Sequence, residues 1–460
     1  MIHKYLLNGC RIALDVNSGA VHLLDEPSFA LLDYASEQMP QHIPDDALEE
    51  LSRDFSAADL AGAWDELYAL REQGLLFSPD DFDRYVSACA AAPIKSMCLN
   101  VAHDCNLRCT YCFASTGDFG GGRKLMPFEV GRSAIDFLME NSGGRHNLEV
   151  DFFGGEPLMN FEAVKQIVGY ARSAEKEHDK NIRFTMTTNG VLLDDEKINF
   201  INREMSNVVL SIDGRRRVND AMRTHVDGTG CYDDILPKFR RLCEKRGYRD
   251  YYLRGTFTSQ NLDFMQDVLH LVDEGFDQIS VEPVVADAQM PYAITMKDLP
   301  RIYAEYEKLA AELLRRNRAG KKINFFHFMI DLENGPCAIK LLRGCGCGNE
   351  YVAVTPEGDL YPCHQFVGRN EWKMGNVMEQ EGIYKSEMKD RFSRIHIYSK
   401  PACRDCWAKF FCGGGCEANN DSFSGDLCTP PVLTCRLEQK RIECAIMIKA
   451  VLAETELSNS

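Results

Sequence analysis

Three cysteines fall within one short run, His103-Asp104-Cys105-Asn106-Leu107-Arg108-Cys109-Thr110-Tyr111-Cys112-Phe113. Thiolates at CxxxCxxC spacing on one loop can hold three irons of a 4Fe–4S cluster and leave the fourth iron open to another ligand. Zinc would want a fourth protein ligand nearby, for which His103 is the candidate. A second constellation lies far downstream. Cys337, Cys345 and Cys347 precede Gly358-x4-Cys363, and Cys403-x2-Cys406-x5-Cys412-x3-Cys416 follows, then Cys428 and Cys435. The chain holds 19 cysteines, an odd number in clustered spacing, which reads as metal ligation rather than a disulfide framework.

The elements that must position these residues divide the 460-residue chain into three units. Residues 1–85 read as short strands between Ile2 and Asp25, broken at Asn8-Gly9 and Asn17-Ser18-Gly19. Three helical patterns follow, the last with Ser56 as N-cap and Gly74 ending it. A closing strand, Leu75-Leu76-Phe77, would complete a winged helix-turn-helix. Residues 93–335 alternate candidate strands (Ser96–Val101, Leu148–Phe153, Arg183–Thr187, Asn207–Ile212, Tyr251–Phe257 and Gln278–Pro283) with amphipathic stretches. That pattern predicts an α/β fold, a partial (β/α)6 barrel with its site at the carboxyl ends of the strands. Residues 336–450 are glycine-rich and cysteine-rich with little periodicity, so metal would have to hold them together.

Charge narrows the function classes. Lys plus Arg is 52 against 69 Asp plus Glu, a net charge of −17, which argues against a sequence-independent grip on nucleic acid or anionic lipid. In the first unit Lys4, Arg11, Arg53 and Arg71 face fifteen acidic residues up to Asp80. A DNA-binding role is a poor reading there. A strand edge accepting an extended peptide fits better, and a purely structural cap is the plain alternative. No apolar run of about 18 residues and no basic leader precede the fold, so a cytoplasmic protein is expected.

Further motifs follow the barrel strands in order. Gly154-Gly155-Glu156-Pro157 ends the second strand, Asn189 follows the third, Ser211 lies on the fourth with Arg223 after it, and Arg254 lies on the fifth. With CxxxCxxC they resemble the radical SAM superfamily. The resemblance implies S-adenosylmethionine on the open iron, its amino group held by the backbone of the GGEP turn and by Glu156. Ser211 would contact the ribose, Arg223 and Arg254 are candidates for the methionyl carboxylate, and Tyr111 and Phe113 would help hold the adenine. The downstream string resembles the SPASM domain, with two auxiliary 4Fe–4S clusters, three clusters in all. That implies Cys337, Cys345, Cys363 and Cys416 for the first and Cys403, Cys406, Cys412 and Cys435 for the second. Cys347 competes with Cys345, and Cys428 with Cys435. The remaining cysteines (Cys10, Cys89, Cys98, Cys231, Cys243, Cys347, Cys428 and Cys444) default to apolar packing.

Longer stretches, among them Leu14-Asp15-Val16-Asn17-Ser18-Gly19-Ala20-Val21-His22 and Thr355-Pro356-Glu357-Gly358-Asp359-Leu360-Tyr361-Pro362-Cys363-His364-Gln365-Phe366, look like the SCIFF-peptide maturases. These install thioether crosslinks in a cysteine-rich ribosomal peptide. The resemblance implies a precursor peptide whose leader binds the first unit, and an electron donor such as flavodoxin or ferredoxin. His364 stands where sulfatase-maturing relatives carry an acid–base aspartate, and histidine could do such work or serve structurally. Rival readings are epimerisation, carbon–carbon crosslinking or formylglycine formation on a peptide, and a zinc-stabilised regulator without enzymatic activity.

Overall fold

The computed structural model describes residues 1–87, 92–332, 338–379 and 386–459. Cys89 and Cys337 lie outside the described residues. An antiparallel sheet of β1 (Ile2–Leu7), β2 (Cys10–Asp15) and β3 (Val21–Leu24) opens the chain, in that order. Three helices cover it: α1 (Glu26–Leu31), α2 (Asp45–Leu51) and α3 (Ala57–Glu72). The Ser56 hydroxyl accepts the Asp59 N–H at 3.2 Å, capping α3 as its sequence requires. Leu60, Trp64 and Leu67, at helical spacing, go into the core of this unit. The expected closing strand is absent: Leu75–Phe77 is a bend, with Phe77 at φ 56°, which no ladder of extended residues accommodates.

The six long strands of the barrel lie within two residues of their expected bounds: β4 (Ser96–His103), β6 (Asn147–Gly154), β7 (Asn181–Thr188), β8 (Met205–Ser211), β9 (Tyr251–Phe257) and β10 (Gln278–Pro283). All pair in parallel with their neighbours in chain order, and a two-residue β11 (Asn324–Phe325) extends the far edge. A short antiparallel β5 (Lys124–Leu125) pairs with the end of β4. Residue type sorts the two faces. On β6 and β7 the alternate positions Leu148, Val150, Phe152, Ile182, Phe184 and Met186 are buried under the helices. Their neighbours Asp151, Phe153, Thr185 and Thr187 face the barrel interior and line a cavity. A period of two therefore makes one sheet face apolar and the other chemically equipped.

The third unit is not a separate irregular module. β12 (Tyr351–Val354) adds in parallel to β4, and β13 (Asp359–Tyr361) and β14 (Gly375–Asn376) continue the same sheet. β4 thus has neighbours on both edges and is buried along its whole length. Periodicity is also stronger than expected, because a 28-residue helix, Val432–Asn459, closes the described chain and runs past residue 450. It packs against the helix Leu299–Arg318 and against the N-terminal sheet. No described helix is long and apolar enough to cross a membrane.

Candidate active site

Parallel strands deliver their following loops to one end of the sheet. There Cys105, Cys109, Cys112, Tyr111, Phe113, Gly154, Gly155, Glu156, Asn189, Ser211, Arg223, Arg254 and His364 line one cavity of about 500 Å³. Pro157 does not line it; it starts a short helical turn, Pro157–Asn160, beneath. The cysteine loop is fixed from behind by the segment carrying Arg223. Arg108 N donates to Thr224 O at 2.8 Å and Thr110 N to Met222 O at 2.9 Å.

The glycines of the GGEP turn answer a steric demand. A Cβ on Gly155 would collide with the Asp104 carbonyl oxygen, and one on Gly154, at φ 129°, with that of Ala102. The turn therefore seats its backbone against the cysteine loop, with Gly155 N donating to Ala102 O at 2.7 Å and Glu156 N to Asp104 O at 2.8 Å. Glu156 lines the cavity and has a bracing role besides. Its carboxylate accepts from Leu158 N at 3.0 Å, Thr188 Oγ1 at 2.7 Å and Asn189 N at 2.8 Å, bracing the ends of β6 and β7. Burial pushes its pKa up to about 7. Asn189 turns its Nδ2 to Asn106 Oδ1 at 2.8 Å and to Cys105 Sγ at 3.6 Å.

Arg223 is a fixed cation. Its Nε donates to the buried Asp213 carboxylate at 3.0 Å, and the Tyr111 hydroxyl donates to the same carboxylate at 2.7 Å. Tyr111 is thereby clamped, whereas the Phe113 ring is more than half exposed and free to offer a face. Asp213, quoted in the sequence only as part of Ser211-Ile212-Asp213-Gly214, is the residue this reading missed; an Asp-Gly at a strand end was its signal. Arg254 pairs with Glu282 Oε2 at 2.6 Å on the cavity wall.

β12 and the loop after β13 close the remaining side. His364 sits with its ring 5.6 Å from Phe113 and 5.0 Å from Phe153, its Nδ1 3.3 Å from the Tyr351 hydroxyl. Burial lowers its pKa to about 4, so the imidazole is neutral at pH 7 and a weak base, against the near-neutral value expected. Asp151 stands on the same wall, raised to about 7 by burial and then by Glu149. Cys98 is buried in an apolar cluster, as expected, and also lines the cavity.

The downstream cysteines gather in two groups. Cys345, Cys363 and Cys416 lie close enough to perturb one another, and Cys347 bonds to Cys363, so Cys347 belongs with this group instead of the inert ones. Cys403, Cys406, Cys412 and Cys435 form the other, with Cys428 beside Cys403 and bonded to Ser399. The donor set fits iron–sulfur clusters. Sulfur accepts N–H from Leu107 at Cys105 (3.4 Å), from Ala114 at Cys112, from Gly414 and Gly415 at Cys412, and from Ala418 and Asn419 at Cys416. Such bonds stabilise charge on cluster sulfur. Without that partner, burial holds the thiols of Cys105 and Cys109 up at about 11 and about 12.

Comparison with known proteins agrees with this geometry. Residues 99–274 match the radical SAM superfamily and residues 345–407 the SPASM iron–sulfur cluster-binding domain. A cysteine-type anaerobic sulfatase-maturating enzyme of Clostridium novyi is 23% identical over 332 residues, 69% of this chain and 86% of that protein. The fold is similar to native anSMEcpe with bound AdoMet and the Kp18Cys peptide, at 19% identity over 79% of this chain and 100% of that one, TM-score 0.64. It is also similar to Streptococcus suis SuiB bound to S-adenosylmethionine, at 18% identity over 94% of this chain and 98% of that one, TM-score 0.53. With the two cysteine constellations lying inside or beside these two matched segments, the chain carries a radical SAM domain followed by a SPASM iron–sulfur cluster-binding domain.

Proposed function

We propose that the protein is a peptide maturase that joins cysteine sulfur to carbon of another residue in the same cysteine-rich precursor, giving thioether crosslinks. One observation carries the reading. Gln365 and Asn419 line the cavity, and both hydrogen-bond to Cys416: Gln365 Nε2 lies 3.9 Å from its sulfur and Asn419 gives its backbone N–H. A ligand of the first auxiliary group therefore stands directly behind the cavity wall, where a substrate thiol can be held deprotonated by metal.

Cys105, Cys109 and Cys112 would hold one 4Fe–4S cluster; Cys345 or Cys347, Cys363 and Cys416 the second; and Cys403, Cys406, Cys412 and Cys435 the third. When bound, the first cluster with S-adenosylmethionine supplies a 5′-deoxyadenosyl radical able to take one hydrogen atom from carbon. The peptide would lose that hydrogen atom to 5′-deoxyadenosine, one thiol proton, and one electron for which an oxidised auxiliary 4Fe–4S cluster would be the acceptor, and gain one C–S bond. Asp151, titrating near neutrality, is better matched to receive the proton than His364. His364 and Phe113 instead shape the wall against which the acceptor residue rests. Arg254 and Arg223 present positive charge for a methionyl carboxylate, and Ser211 a hydroxyl for the ribose. The leader of the precursor would add as an extended strand to β3, which among the described residues pairs with β2 alone.

Anaerobic incubation with reductant, S-adenosylmethionine and the candidate peptide tests this directly. The expected result is 5′-deoxyadenosine together with a loss of two hydrogens per crosslink and thiols that resist alkylation. Likeness to sulfatase-maturating enzymes favours a second reading, formylglycine formation. A product that loses sulfur and reacts with aldehyde reagents would establish that reading in place of the first.

A further inference from the structure

The run Gly413-Gly414-Gly415 joins Cys412 of one auxiliary group to Cys416 of the other, and its three residues take φ of 68°, 91° and 77°. Against this loop lies Lys400, fully buried. Its Nζ donates to Gly414 O at 2.7 Å and pairs with Glu417 Oε1, also buried, at 3.2 Å. A Cβ on Gly414 would stand 3.0 Å from that Nζ, so the glycine is what lets the ammonium rest on the backbone.

The two members of the pair belong to segments that carry different cysteines. Glu417 directly follows Cys416 and opens the helix Glu417–Ser424, whereas Lys400 caps the short helix Pro401–Arg404 that carries Cys403, and its carbonyl accepts the Cys403 N–H at 2.9 Å. A buried ion pair is poor evidence of a stabilising role, since apolar side chains of similar volume often do as well. A fixed dipole between two redox groups has another consequence: a cation stabilises the reduced, more negative form of a cluster, and an anion disfavours it.

Resting on the two-auxiliary-cluster reading above, we infer that the Lys400–Glu417 pair separates the reduction potentials of the two auxiliary clusters, higher at the Cys403 group and lower at the Cys345 group. A single electron shared between them then resides on the Lys400 side, away from the cavity, with no bond made or broken and no proton moved.

The test uses the full chain with Cys105→Ala, Cys109→Ala and Cys112→Ala, so that only auxiliary iron remains after anaerobic reconstitution. Iron and sulfide are counted, and redox titration is followed by electron paramagnetic resonance. Two midpoints are expected. Lys400→Met with Glu417→Gln leaves no uncompensated buried charge, and should lower the Cys403-group midpoint, raise the other and narrow their separation at unchanged iron content. Glu417→Gln alone keeps an oxygen acceptor for Lys400, and should raise the Cys345-group midpoint more than its partner. Unchanged separation at full iron content in whichever variant loads would overturn the inference alone. Iron sufficient for only one auxiliary cluster in the parent would overturn the two-cluster reading itself.

Discussion

Asp151 shows how far a single side chain can depart from what its name suggests. On paper it is one acidic residue in a strand; in the fold it faces a cavity among Cys98, Thr185 and Glu149, with its pKa pushed up to about 7 from 3.8. Between those values the folded chain keeps a proton that the unfolded chain has released, so stability falls as pH rises across that window. The whole shift corresponds to about 4 kcal/mol, of which roughly 2 to 3 kcal/mol is lost between pH 5 and pH 7.5. Urea unfolding of the metal-free protein at pH 5 and pH 7.5 should show a loss on that scale in excess of that in Asp151→Asn, which cannot titrate. Asp213 offers the complementary case, a fully buried carboxylate paired with the buried Arg223 guanidinium. Asp213→Asn leaves that guanidinium unpaired and should cost about 3 kcal/mol in denaturant unfolding. Iron follows the same residue logic: Cys105→Ala, Cys109→Ala and Cys112→Ala together should abolish 5′-deoxyadenosine formation while auxiliary iron, measured chemically, remains.

Elements place these residues, and their period made them legible. Strands β6 and β7 alternate apolar and polar residues so regularly that their buried and cavity faces could be assigned from spacing. The GGEP turn was equally readable, although its purpose was not. Gly154 and Gly155 are required because the turn packs backbone to backbone against the loop after β4. Gly155→Ala should force the two apart, weaken S-adenosylmethionine binding by at least tenfold in equilibrium dialysis and cost about 1–3 kcal/mol of stability through overpacking. β12 was illegible for a physical reason. Four residues, Tyr-Val-Ala-Val, form a strand because the edge of β4 is there to pair with, and no local pattern announces a partner some 250 positions earlier.

At the scale of the molecule, the N-terminal unit rests on the cysteine-rich region. The His3 ring stacks on Trp407 at 3.7 Å between centroids, and its Nε2 lies 3.1 Å from Glu443. Tyr5 donates to Glu443 O at 3.0 Å, and Lys409 pairs with Asp80 at 2.6 Å. Trp407 and Lys409 lie in the segment between Cys406 and Cys412, so the N-terminal unit is seated beside the second downstream cysteine group. Removing auxiliary iron with a chelator under anoxic conditions should therefore loosen this contact. The expected readouts are a change in Trp407 emission, a lower Tm and faster amide exchange in β1, each reversed when iron and sulfide return.

Taken by itself, the sequence determined the chemistry and the barrel. Cysteine spacing specifies how many irons a loop can reach, and strand–helix alternation specifies a parallel sheet whose loops share one end; both are local properties carried by neighbouring residues. Tertiary structure alone decided that His364 shares a cavity with Cys112, that Glu156 braces two strands, that Asp213 clamps Tyr111 and Arg223, and that Lys400 and Glu417 are buried between two cysteine groups. Those facts depend on burial and on contacts between residues far apart in the chain, and desolvation leaves no mark in the order of amino acids.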